Sequence, residues 1–225
     1  MEITWIGETC VRLKGREGSV AVDAYRSVVG PTGRGLTADL STYSHADDEP
    51  GHRVSKAEEP KLTDALAVPI PTSLEPAFPL DAPGEYEVHG ILVGGVRTFR
   101  DDARGAERGL NIAFVVELDG LHVVHLGDLG HAITEETAGE IGAVHVVCIP
   151  VGGALTPAKA AEVVATLDAP IVVPLPVGED PDGALARFLK EMNVTNHTPV
   201  PKLTVSISTV PSETTVIVLE AKPRA

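Results

Sequence analysis

Residues 110–131 read LNIAFVVELDGLHVVHLGDLGH. Two apolar runs, Asn111 to Leu118 and Leu121 to Leu126, flank Asp119-Gly120, a pair that favours the type I′ turn whose twist suits two antiparallel strands. A β-hairpin is predicted there. Working outward, Glu85 to Val88 and Ile91 to Val96 flank His89-Gly90 and predict a second hairpin just upstream. At the N-terminus, Ile3 to Ile6, Cys10 to Leu13 and Val20 to Asp23 form a strand meander punctuated by glycine turns, and Asp39 to Tyr43 is a strand that opens into a polar loop from Ser44 to His52. Past Asp128 the periodicity changes. Thr134 caps a short helix to Ile141, Val144 to Ile149 is a buried strand, Thr156-Pro157 supplies an N-cap and N1 proline for a helix through Leu167, and Ile171 to Pro174 is a strand. Asp182 to Met192 is a further helix, and Leu203 to Ser208 and Thr215 to Leu219 are strands. Strand meanders followed by βαβα units predict an α/β (α+β) architecture with helices covering the outer faces of sheets. Residues 53–83 are atypical. Charged at first and then interrupted by Pro60, Pro69, Pro71, Pro76, Pro79 and Pro83, they predict edge strands and loops and no helix.

Composition narrows the function classes. A chain of 225 residues with 43% hydrophobic content can bury a full core, which excludes intrinsic disorder, and no linker divides it, so one domain over residues 1–225 is expected. Eighteen Lys plus Arg stand against 32 Asp plus Glu, a net charge of −14, which argues against nucleic acid as a partner. The longest uncharged run, Ile141 to Ala158, is broken by Gly142, Pro150, Gly152, Gly153 and Pro157, so no membrane span is expected. The acidic start, Met1-Glu2, has no basic n-region, and a cytoplasmic location is expected. Cys10 and Cys148 are too few for a disulfide scaffold or a four-thiolate zinc site.

Several landmarks stand in order along the chain. They are Met1-Glu2-Ile3-Thr4-Trp5-Ile6-Gly7, Ser44-His45, Gly84-Glu85-Tyr86-Glu87-Val88, Arg108-Gly109-Leu110-Asn111, His125-Leu126-Gly127-Asp128-Leu129-Gly130-His131 and Pro150-Val151-Gly152-Gly153. With these residues the chain resembles a bacterial metallo-β-lactamase-fold group of metal-dependent hydrolases, nearly end to end, with only residues 53–80 unlike it. The resemblance implies an αβ/βα four-layer sandwich with a groove along the edge between two sheets. It also implies one or two zinc-like ions held by a His-x-His-x-Asp-His loop, a later His, an Asp after another strand and a last His. Imidazoles and carboxylates suit such ions, and the ions acidify a bound water.

Set against that pattern, the loop Ser44-His45-Ala46-Asp47-Asp48-Glu49-Pro50-Gly51-His52 keeps only its first His. Asp47, Glu49 and Pro50 fall where the second His, the Asp and the third His are expected, Arg100 falls at the later His, and Pro176 at the last. The ligand candidates are therefore His45, Asp47 and Asp128, joined by Glu49, with His52 as a replacement if the Pro50-Gly51 kink shifts the register. Taken alone, His45 fits a hydrogen-bonded loop histidine equally well, and Asp47 to Glu49 fit a solvated acidic turn. Arg100 cannot ligate a cation and repels one. It is expected to pair with Asp128 and Asp47, an internal ion pair in place of a metal. His125 and His131 are expected to pack or position, and His122 and His145 to sit at the core edge.

The leading reading is a metallo-β-lactamase-fold protein without a metal cofactor, acting as a non-catalytic binding or partner protein. One alternative is a metal-dependent hydrolase with an altered mononuclear site of His45, Asp47 and Asp128 holding Zn²⁺, Mn²⁺ or Mg²⁺. The other is a metal-free binder of an anionic small molecule through an accessible Arg100. A homo-oligomer or a protein partner is expected alongside a small-molecule ligand.

Overall fold

Three N-terminal strands, Glu2–Gly7 (β1), Cys10–Lys14 (β2) and Ser19–Val22 (β3), form an antiparallel meander in the computed structural model, which describes residues 1–46 and 68–221. A short helix, Arg26–Val29 (α1), leads to Leu40–Thr42 (β4), which runs parallel to β3, and Phe78–Leu80 (β5) lies parallel to β4. The chain continues through Gly84–Val88 (β6), Ile91–Phe99 (β7), Leu110–Leu118 (β8), Leu121–His125 (β9), Glu135–Ile141 (α2), Val146–Gly152 (β10) and Pro157–Leu167 (α3). It ends with Ile171–Val177 (β11), Pro181–Glu191 (α4), Leu203–Thr204 (β12) and Thr215–Val216 (β13). The first sheet has the order β12-β1-β2-β3-β4-β5, and the second β13-β11-β10-β9-β8-β7-β6.

Three apolar layers hold these elements together. Ile3, Leu13, Val20, Leu40, Ile112, Phe114, Val123 and Val173 fill the space between the two sheets. Val124, Val147, Ile149, Val163, Leu167 and Phe188 seal α2, α3 and α4 onto the outer face of the second sheet. Cys10, Ala21, Ala24, Val29 and Leu74 seal α1 and its neighbouring turns onto the outer face of the first. This is the αβ/βα four-layer sandwich. Among the described residues no helix is long and apolar enough to cross a membrane.

Local chemistry explains where elements begin and end. His89 and Gly90 (φ 54° and 82°) and Asp119 and Gly120 (φ 54° and 75°) take the paired positive φ of type I′ turns, closing the two expected hairpins. Thr156 accepts the Lys159 N–H with Pro157 at N1, the expected start of α3. Strand β11 runs past Pro174 to Val177, three residues beyond its sequence-predicted end. Pro170 and Val172 accept from β13 backbone, so Pro174 and Pro176, of the same parity, turn toward β13's side, and β13 pairs only with Ile171 and Val172. Their missing N–H groups therefore break no ladder bond. The strand expected over Leu203 to Ser208 stops at Thr204, because Ser206 and Thr209 cap a turn at Ile207–Thr209 with their own hydroxyls. Of the atypical segment, residues 53–67 lie outside the described residues, and the remainder forms a turn at Thr72–Leu74 and the edge strand β5.

The helical layer gives a direct test of this packing. Phe188 is fully buried, whereas Phe78 on edge strand β5 is 52% exposed. Phe188→Ala is expected to lower the unfolding free energy by about 3–5 kcal/mol, and Phe78→Ala by no more than about 0.5 kcal/mol. Denaturant midpoints of the two variants check the contrast.

Candidate functional site

The C-terminal ends of β4, β7 and β9 converge on one edge of the sandwich, and the loops leaving them carry His45, Arg100 and Asp128. A backbone bond crosses between the sheets here, from the Ile112 N–H to the Ser44 carbonyl at 2.7 Å. Asp23, fully buried just after β3, fastens Ser44 by accepting its N–H at 2.8 Å and its hydroxyl at 2.7 Å. Gly127 (φ 60°) packs so closely that an added Cβ would lie 2.4 Å from Ser44 Cβ and 2.5 Å from Asn111 Oδ1. Only glycine fits both the turn and the contact.

His45 is 8% exposed and stacks on Tyr25 with ring centroids 4.7 Å apart. Its backbone N–H donates to the Tyr25 hydroxyl at 2.9 Å, and its Nδ1 lies 2.7 Å from the Ala46 carbonyl oxygen. That carbonyl can only accept, so Nδ1 carries a hydrogen. Burial, and after it the Asp23 charge, pushes the Tyr25 phenol well above its usual range, so it stays a neutral support.

Asp128 is the hub of the edge. Its Oδ2 accepts from Arg100 Nε at 2.8 Å and from Arg108 Nη2 at 2.9 Å. The side chains of Arg100 and Asp128 are 9% and 13% exposed, and that of Arg108 is 41% exposed. Asn111 aims the carboxylate. Its Oδ1 accepts the Asp128 N–H at 2.9 Å, while its Nδ2 donates to Thr98 Oγ1 and the Leu126 carbonyl.

The loop between the two arginines is built around Asp101. Its carboxylate accepts four backbone N–H groups, from Ala103, Gly105, Glu107 and Arg108. Burial works against its charge, but the bonds from Arg108, Gly105, Glu107 and Ala103 outweigh it and hold the carboxyl below the ordinary range. Arg100 Nη1 donates to the Arg108 carbonyl at 3.4 Å, closing the loop on itself. Gly130 lies beneath, where a Cβ would meet the Arg100 carbonyl oxygen at 2.1 Å.

His125 lies under the site, 1% exposed. Its Nδ1 accepts the Gly127 N–H at 3.1 Å, which assigns the Nε2 hydrogen to the Thr9 carbonyl at 2.7 Å. Burial lowers its pKa, against the raising influence of Asp23 and the Thr9 carbonyl, and His45 lowers it further.

A family model described as Beta-lactamase superfamily domain matches residues 2–176. The chain belongs to this superfamily. A "UPF0173 metal-dependent hydrolase" of Methanoregula boonei is 30% identical over 161 residues, 69% of this chain and 72% of that protein. One of Methanoculleus marisnigri is 25% identical over 183 residues, 78% and 80% of the two chains. Among solved structures, a metallo-beta-lactamase superfamily protein of Thermotoga maritima superimposes with a TM-score of 0.70 and 28% identity, covering 98% of this chain and 99% of that one.

The superfamily implies a metal, and of the candidate ligands the described residues include His45 and Asp128. Asp128 Oδ2 already accepts from two guanidinium groups, and a cation at about 4 Å from one such charge is opposed by about 4 kcal/mol per unit charge at an effective dielectric of 20. Among the described residues no three His, Cys, Asp or Glu side chains gather as a ligand set. Asp47, Glu49 and His52 lie outside the described residues. Pro176, at the position of the last expected His, is buried inside β11 opposite Val151. The anion-binding alternative required an accessible Arg100, and that is corrected here: Arg100 is 7% exposed, and Arg108 is the guanidinium at the surface. The sequence reading assigned no role to Arg108, Asp101, Asn111 or Asp23. The usable signals among them were Asp23, which closes a strand just before an aromatic, and Arg108 and Asn111, which stand in one of the shared landmarks.

Two outcomes follow from this geometry. Asp128→Ala takes a carboxylate partner from the buried Arg100 and is expected to cost about 3 kcal/mol, while Arg108→Ala costs less than about 1 kcal/mol; chemical denaturation of both variants checks the difference. The second concerns pH. A histidine with a folded pKa below its unfolded 6.5 leaves stability unchanged above that pH and reduces it below, because the unfolded chain takes up a proton the folded chain refuses. For His125 the loss reaches about 1.4 kcal/mol per pH unit below about 6.5, and His145, lowered by burial and by His122, acts in the same sense. Unfolding curves across that window test it, and a flat profile would refute it.

Proposed function

We propose that this metallo-β-lactamase-fold chain is a non-catalytic binding or partner protein, in which arginine charge stands where the superfamily places metal. The observation that carries the proposal is the convergence of Arg100 and Arg108 on one oxygen of Asp128. A guanidinium beside a carboxylate neutralises it much as a bound cation would, without opening a coordination site for water. Arg100 completes the pair at depth, and Arg108 covers it from solvent. No cofactor is assigned on this reading, the chain works in the cytoplasm, and its partners are a second copy of itself or another protein.

A second reading has its own support. The relatives from Methanoregula boonei and Methanoculleus marisnigri are named metal-dependent hydrolases, which favours a divalent ion held by His45, Asp47 and Asp128, with Glu49 as a further ligand. Metal content by inductively coupled plasma mass spectrometry separates the two. Protein purified without chelator, and again after dialysis against Zn²⁺, Mn²⁺ or Mg²⁺, is expected to hold far less than one ion per chain, and Arg100→His is expected to restore none. One tightly held ion per chain would overturn the proposal and establish the hydrolase reading.

A further inference from the structure

The Arg108 side chain uses one corner of its fork and leaves the remainder open. Its Nη2 donates to Asp128, and among the described residues its Nε and Nη1 make no hydrogen bond, with 41% of the side chain exposed. Its backbone is fixed independently of that contact. The Arg108 N–H donates to Asp101 Oδ2 at 2.6 Å and its carbonyl accepts from Arg100 Nη1 at 3.4 Å. The ordering that usually opposes binding by a surface arginine is therefore already in place in the loop.

We infer that Arg108 holds a small oxyanion, a carboxylate or phosphate group, on the solvent face of the Arg100–Asp128–Arg108 cluster. With one Nη2 hydrogen on Asp128, the other Nη2 hydrogen stands parallel to the free Nε–H or Nη1–H and offers one edge of two donors to two oxygens of such a group, which a lysine ammonium does not. Arg100 is the buried strut that fixes Asp128, and Asp128 in turn sets the plane of the Arg108 fork. Asp101 is a positioning residue that holds the loop and touches no ligand. This inference rests on the reading that arginine replaces metal at this edge, and it names the chemistry that such a binding protein recognises.

The test is a calorimetric titration of the full chain with inorganic phosphate and, separately, with malonate, at ionic strength held constant with sodium chloride. Saturable binding of at least one of the two is expected, and the stronger arm tells phosphate from carboxylate. Arg108→Gln is expected to weaken it at least tenfold without changing the unliganded melting temperature, and Arg108→Lys to fall between the two. Failure of both anions to bind, or binding that Arg108→Gln leaves unchanged, would overturn the inference. Metal content measured on the same samples keeps the two claims apart. A stoichiometric ion defeats the arginine-for-metal reading, whereas metal-free protein that ignores both anions defeats only the oxyanion site.

Discussion

One carboxylate oxygen, Asp128 Oδ2, accepts from a buried and a surface guanidinium, and the design of the surrounding edge follows from keeping those three groups in register. A charge taken out of water is tolerated only when its partner and its remaining hydrogen bonds are in place. The structure meets that requirement from several directions. Asn111 sets the backbone of Asp128 from β8, Gly127 and Gly130 let the loop approach Ser44 and the Arg100 backbone, and Asp101 gathers the loop that joins the two arginines. Beneath them, Asp23 and the cross-sheet bond from Ile112 to Ser44 tie the two sheets together at the same edge.

The layered core explains why this edge is available. Apolar side chains between the sheets and under the helices supply the burial that drives folding, while the ends of β4, β7 and β9 are left to carry loops. Polar groups at the edge add little net stability, but each is costly to orphan. The consequence is asymmetry: removing Asp128 is expected to hurt far more than removing the exposed Arg108.

Much of the architecture was legible in the sequence because local chemistry dictated it. Asp119-Gly120 and His89-Gly90 have few alternatives to a type I′ turn, and Thr156-Pro157 has few alternatives to a helix start. The far end of β11 was not legible, since whether Pro174 and Pro176 are tolerated depends on which side of the strand loses its neighbour. At the site, Asp128 and Arg100 stood out because a resemblance assigned them positions. Arg108 stood in a shared landmark but drew no role, because it reaches Asp128 from a loop with no periodicity of its own. Asp101 was invisible for a different reason: its partners are backbone N–H groups, which every sequence supplies. Asp47 and Glu49 lie outside the described residues.

The account stands on arginine occupying the charge role that the superfamily implies for a metal. Anomalous diffraction from crystals soaked in Zn²⁺ or Mn²⁺ tests it most directly. The account predicts both guanidinium groups still on Asp128 and no anomalous peak at its carboxylate. A peak bonded to Asp128, with Arg100 swung away from it, would contradict the account.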